Sequence, residues 1–343
     1  MTSFLRSERS RPVALWLFGV AALVLAMVVV GGATRLTGSG LSITEWKPVT
    51  GAVPPLSHEA WLAEFAKYQR LPQYQQVNRG MDLAAFQSIY WWEWAHRLLG
   101  RIVGAAFAIP FVAFLATRRL PRRLIWRCTV LLGLGGLQGL AGWWMVVSGL
   151  AGRVSVAPER LTIHLGLAFV LLGALVWTGL EAWAGKARPA QTGNWPWITI
   201  ALTAGVFVQI LLGALVAGNH AGLIHNDWPL FGGRLLPSDY IAGGVWRTWV
   251  HGQAAVQLHH RIGAYLLFAA AIAAAFAARR SAVLGAAPRA LAGALAVLIT
   301  VQAALGIVTL MRVTPLPLAL AHQVMAAIVL LTALGFAWRV RRA

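Results

Sequence analysis

Charge is scarce in this 343-residue chain: only 11% of its residues are Asp, Glu, Lys or Arg, and ten of these are acidic. A soluble domain ordinarily carries about 25%. Cysteine is scarcer still. The single Cys128 excludes a disulfide framework and any cysteine-based metal cluster. No heptad or collagen-like repeat runs through the chain, which excludes coiled coil and fibre. What is present is apolar. Hydrophobic residues make up 59% of the chain and the mean hydropathy is +0.67, which excludes both disorder and a water-soluble globule. The formal net charge of +19 would suggest nucleic acid in a soluble protein. Here most of it sits in short loops beside apolar runs, so the expected partner is membrane lipid and not nucleic acid.

Eight runs match the roughly 20 apolar residues that a bilayer-crossing helix needs. They lie near 13–33, 87–116, 124–148, 161–183, 195–218, 251–278, 287–311 and 317–339. The backbone in lipid must satisfy its own hydrogen bonds, so the expected fold is all-α and polytopic. The first run is too long for the 7–15 residue apolar stretch of a signal peptide. Sixteen of the 29 basic residues fall on one side of this topology, with only Glu8 and Glu181 as acids there. By the positive-inside rule that side is cytoplasmic and holds both termini. The large loops 34–86 and 219–250 then face outward. No transit segment precedes the first run, so a bacterial inner membrane is the expected home.

The chain also repeats itself. Trp94-Ala95-His96-Arg97 in the second run matches Leu258-His259-His260-Arg261 in the sixth. Arg153-Val154-Ser155 leading to His164 matches Arg312-Val313-Thr314 leading to His322. Gln138 to Gly142 matches Gln302 to Gly306, and Trp46-Lys47-Pro48 matches Trp228-Pro229. Two four-helix bundles are therefore expected, residues 1–186 and 187–343. Each has an even number of spans, so they share one orientation and a parallel repeat.

His96, His164, His260 and His322 fall in spans two, four, six and eight, all running inward. Each lies within about the first third of its span, so a rise of 1.5 Å per residue sets them at similar depth toward the outer face. Two histidines per bundle at one level is the arrangement that grips a haem iron on both axial faces. The alternative is four polar packing groups, but ionisable residues inside a membrane are costly and point to function. A zinc site lacks its short-spaced ligand cluster. His259 lies about 100° around the helix from His260, so both cannot meet one iron. His251 faces the other side of that helix. His58, His220 and His225 belong to the loops.

Glu93, three residues before His96, shares its helix face, whereas Gln257 stands before His260. Only the first half thus has a carboxyl that could serve as a general base, which suggests proton chemistry there and electron transfer alone in the second. Pairing of Glu93 with Arg97, Arg101 or Arg35 is the structural alternative. Arg97, Arg101 and Arg261 are also candidates for haem propionates, which guanidinium groups meet in bidentate fashion. The stretch 59–70 is amphipathic and is expected at the membrane interface, anchored by Trp61, Phe65 and Tyr68. A diheme b-type electron carrier and a haem transporter remain open as other classes of function.

Taken together, TRLTGSGLSITEWKPVTGAVPP, IYWWEWAHRLLGR, HNDWPLFGGRLLPSDY, VQLHHRIGAYLL and the late AHQ resemble the haem A synthase family, in the branch without paired loop cysteines. The resemblance covers nearly the whole chain. It implies oxidation of the C8 methyl of haem O to the formyl group of haem A, through two hydroxylations with water-derived oxygen and a dehydration. It further implies haem b on His260 and His322, with Arg261 beside it. The substrate haem would lie between His96 and His164, with Arg35, Arg97 and Arg101 as propionate candidates and Glu93 as the essential carboxyl. Implied partners are the farnesyltransferase that makes haem O, cytochrome oxidase assembly factors and further copies of the chain.

Overall fold

The computed structural model describes residues 9–185 and 189–342. Arg6, Glu8, Lys186, Arg188 and the expected boundary at 186/187 lie outside the described residues. Ten α-helices run in chain order among the described residues: α1 (Arg11–Leu36), α2 (His58–Tyr68), α3 (Pro72–Gln76), α4 (Leu83–Ala116), α5 (Arg122–Leu150), α6 (Pro158–Ala184), α7 (Trp195–Gly218), α8 (Gln253–Arg280), α9 (Ala286–Met311) and α10 (Leu316–Val340). All but α2 and α3 are long and apolar enough to cross a membrane, and the chain is a multi-pass, all-α membrane protein. The expected spans agree with these helices to within four residues at either end.

Local chemistry sets the ends. Proline occupies the first turn of α1, α6, α7 and α10, where its missing N–H costs nothing. Asp82 caps α4 by accepting from the Ala85 amide at 2.7 Å, and Ser57 caps α2 by accepting from Ala60 at 3.2 Å. His251 does not belong to a span. It closes a single π turn, Arg247–His251, ahead of α8.

The helix contacts are those that two similar bundles would make. In the first half α1 packs on α4 and α6, and α5 on α6; in the second α7 packs on α8 and α10, and α9 on α10. The halves meet where α1 touches α10 and α7 touches α6, a reciprocal crossing, with α6 against α10 between them. One pairing departs from this match. α8 and α9 pack along each other, whereas their counterparts α4 and α5 touch only sparsely, so the first half is parted along one seam.

The main apolar core, with Leu17, Val20, Phe107, Phe111, Phe169, Leu175, Leu202, Leu295 and Phe336, fills the end of the bundle where α1 begins. A second, smaller core lies in the outer loop and corrects one expectation. Phe65 and Tyr68 of α2 are buried against Phe86, Ile89 and Tyr90 of α4, and Trp61 sets its edge on Tyr90 at 4.9 Å. Phe65 and Tyr68 are therefore taken up by protein and not by lipid, while Trp61 stays partly exposed at the rim. The apolar face of α2 finds a protein surface at the start of α4, and burial there removes it from water equally well.

Candidate functional site

The four histidines stand near the end of the bundle opposite the main core, each half-buried in its helix. The rings of His260 on α8 and His322 on α10 face one another with centroids 6.4 Å apart and planes at 80°. Two imidazole–metal bonds of about 2 Å each, plus the two ring radii, account for that separation. Direct ring contact or a single hydrogen bond would bring the rings closer.

Every one of these rings rests on a glycine of a neighbouring helix. A Cβ on Gly31 would lie 2.7 Å from Cε1 of His96, and one on Gly142 2.9 Å from Cε1 of His164. For Gly213 and His260 the distance is 3.1 Å, and for Gly306 and His322 it is 2.8 Å. Only a residue without a side chain lets the ring approach the opposing backbone so closely. Three of the rings also have a glutamine companion, placed four residues before the glycine. Gln138 donates to the His164 carbonyl at 3.0 Å with its amide 3.4 Å from the ring Nε2, and Gln302 does the same for His322 at the same distances. Gln209 donates to the His260 carbonyl at 2.8 Å and lies 3.0 Å from Nδ1. The Oε1 atoms of all three glutamines are buried without a partner. Nδ1 of His96, His164 and His322 is likewise buried without a partner, as a ring nitrogen kept for a metal would be. The facing rings of His260 and His322 therefore fit the axial ligation of one iron porphyrin, and His96 and His164 repeat the glycine seats and the partnerless Nδ1 in the first half.

Glu93 is 3% exposed, and both its oxygens are occupied. One accepts from Ser42 Oγ and the Ile43 amide, both at 2.8 Å; the other accepts from Arg97 Nη2 at 2.7 Å and Nε at 3.1 Å. Arg97 also donates to the Ile43 and Glu45 carbonyls. The second half has the same latch with opposite polarity. Gln257, equally buried, donates to the Ala221 and Ile224 carbonyls and accepts from Arg261, which spreads over the carbonyls of His225, Asp227 and Leu230. The carboxylate takes loop N–H and O–H groups, and the amide takes loop C=O groups. The Glu93–Arg97 pairing weighed as the structural alternative is thus present.

The arginines proposed for propionates are engaged with backbone. Arg101 donates to the Pro48 and Lys47 carbonyls and keeps Nη1 buried and free of partners. Arg35 reaches across the halves to cap the end of α7 at the Ala217 carbonyl, 2.6 Å away, and its Nε has no partner. Arg97 and Arg101 border a half-open cleft with Ile43, Glu45, Lys47 and Gly51. In that loop the Glu45 carboxyl is lowered to about 2 by hydrogen bonds from Lys47 and Lys67.

The remaining histidines stay outside this arrangement. His259 bonds to the Tyr240 hydroxyl at 3.1 Å and stacks on Trp249. His251 lies 3.7 Å from Glu159, and His225 3.0 Å from Asp239. The sequence marks Gln138–Gly142 and Gln302–Gly306 only as matching repeats, with no part in seating a ring, and Gln209, Gly213 and Gly31 were not singled out at all. The signal was available in the Gln-x-x-x-Gly spacing that recurs at 138–142, 209–213 and 302–306.

Comparison with known proteins agrees with this geometry. Residues 14–334 match the family model described as cytochrome oxidase assembly protein, COX15-CtaA. A protein of Caulobacter sp. (strain K31) named Heme A synthase is 63% identical over the full length of both chains, and one of Caulobacter vibrioides with that name is 58% identical, also over both full lengths. The Heme A synthase of Paracoccus denitrificans is 50% identical over 90% of this chain and 83% of its own. With a family model that spans almost all of its membrane helices, this chain belongs to the COX15-CtaA family of cytochrome oxidase assembly proteins.

Proposed function

We propose that this protein is a haem A synthase, an oxidoreductase that converts the C8 methyl of haem O into the formyl group of haem A. Two hydroxylations with oxygen from water, each releasing two protons and two electrons, give a gem-diol, which loses one water to leave the aldehyde. The balance is one water consumed, with four protons and four electrons released. In this reading His96 and His164 hold the substrate porphyrin, and His260 and His322 hold haem b, which supplies a one-electron relay when bound. The parted seam between α4 and α5 supports placing the exchanging porphyrin in the first half. The single observation that carries the reading is the carboxyl of Glu93, one turn from His96, where the other half has an amide.

Glu93 takes protons from the reacting group, which requires that one of its oxygens leave Ser42 and Ile43. Its pairing with Arg97 holds the carboxyl in place while that happens. Arg97 and Arg101 border the cleft from which propionates would be met, and the buried Nη1 of Arg101 is a donor still to be used. Both termini face the cytoplasm and the porphyrin sites lie toward the outer face of a bacterial inner membrane. Haem O would come from its farnesyltransferase, and the haem A would serve oxidase assembly, with the enzyme acting as a homo-oligomer. The test is pigment analysis of cells lacking haem A that express this chain together with a haem O synthase. Haem A should appear, and its absence with both proteins present in the membrane would overturn the reading.

A further inference from the structure

The glutamine companion is missing at one histidine only. Met27 stands four residues before Gly31, where Gln209 stands before Gly213, Gln138 before Gly142 and Gln302 before Gly306. Its terminal methyl reaches α4 one turn beyond His96: Cε lies 3.1 Å from where a Cβ on Gly100 would be. A thioether has no N–H to donate, so the His96 carbonyl lacks the cross-helix donor that Gln138, Gln209 and Gln302 give to the carbonyls of His164, His260 and His322. A second observation points the same way. α4, which carries His96, has 11% of its apolar window buried and leans chiefly on α1. α6, which carries His164, has 50% buried and packs on α1, α5, α7 and α10. His164 is thus clamped on the most enclosed helix, and His96 is unclamped beside the parted seam.

We propose that the two axial ligands of the first site are unequal: His164 is the permanent ligand of the substrate porphyrin, and His96 is the ligand that lets go when haem O enters and haem A leaves. Met27 is the positioning residue that keeps this bond weak, by withholding the hydrogen bond that pins the backbone turn of each of the other three histidines to its neighbouring helix. Such outer partners are worth about 10–100-fold in metal affinity. The inference rests on the reading that His96 and His164 hold the substrate porphyrin.

The experiment loads the detergent-solubilised full chain with haem O and follows its transfer from the first site to a haem-scavenging apoprotein, with the haem b spectrum as the control for folding. Met27→Gln is expected to slow that transfer 10–100-fold and to slow carbon monoxide binding to the ferrous first-site haem to a similar degree. His96→Ala should retain a five-coordinate haem there, whereas His164→Ala should lose it. A Met27→Gln transfer rate within twofold of the native rate, or equal retention in the two histidine variants, would overturn the inference. Should Met27→Gln fail to hold haem b, the histidine comparison decides alone. First-site binding unchanged in both histidine variants would instead bring down the assignment of the site, and the inference with it.

Discussion

Replacing Gly306 by alanine tests the glycine seats most directly. The new Cβ would lie 2.8 Å from Cε1 of His322, and an ordinary carbon contact needs about 3.5 Å, so ring or helix must give way by roughly 0.7 Å. The ring cannot retreat freely, because its other side faces His260 across 6.4 Å, a space the iron itself would fill. Overpacking of this kind costs about 1–3 kcal/mol, against which alanine recovers about 0.5–1 kcal/mol of helix propensity. The net cost falls on the iron–nitrogen bond, because a chain that has released haem b has no opposing ligand to crowd. The assay is haem b content of the purified chain, with the low-spin signature of two axial imidazoles in its optical and EPR spectra. Gly306→Ala should lose haem b or convert it to a high-spin form while the chain still inserts in the membrane. Gly293→Ala in the same helix, where a Cβ would meet nothing within 4 Å, should retain it fully. A stoichiometric, low-spin haem b in Gly306→Ala would refute the argument.

Other perturbations follow from the same geometry. His260→Ala and His322→Ala should each remove bound haem b, and an unaltered b spectrum in either would exclude that pair as ligands. Glu93→Gln should stop haem A formation and leave the haem b spectrum intact; loss of that spectrum instead would mean that the residue serves the fold of both halves. Arg97→Ala leaves Glu93 as a buried carboxylate without its cation, a change that costs about 3–5 kcal/mol in comparable buried pairs. It should lower the thermal midpoint of the purified chain more than Arg101→Ala does, and the reverse order would argue against the latch. Glu45 is held as a carboxylate well below its usual 4.5, so its bonds to Lys47 and Lys67 stabilise the loop above that value and are lost as pH falls toward 2. Protection of the amides in residues 43–67, corrected for the intrinsic pH dependence of exchange, should be equal at pH 7 and 5 and lower at pH 3, and protection already lost at pH 5 would contradict this assignment.

Much of the architecture was legible before any coordinates. Eight apolar runs become helices because lipid leaves the backbone no other partner, and His96, His164, His260 and His322 stand out because polar groups are rare in such runs. The outer loops were less legible. The pattern at 59–70 showed that Trp61, Phe65 and Tyr68 would be covered, but not by what, since amphipathicity has the same form whether the covering surface is lipid or the flank of α4. Glu93 and Gln257 looked like a division between proton chemistry and none. Folded, they prove to be two versions of one latch, because Arg97 and Arg261 one turn later bring the loop backbone onto both.

Composition and periodicity thus determined, unaided, an eight-span membrane bundle with histidines inside four of its spans, since hydropathy and helical period are properties of a single strand of sequence. Tertiary structure alone decided that His260 faces His322, that four glycines seat the rings, that three glutamines stand beside them and a methionine beside the fourth, and that the first half is open along α4 and α5. Those are relations between helices. They depend on how far each helix is rotated and slid against its neighbour, a quantity written in the complementarity of two surfaces and in neither one by itself.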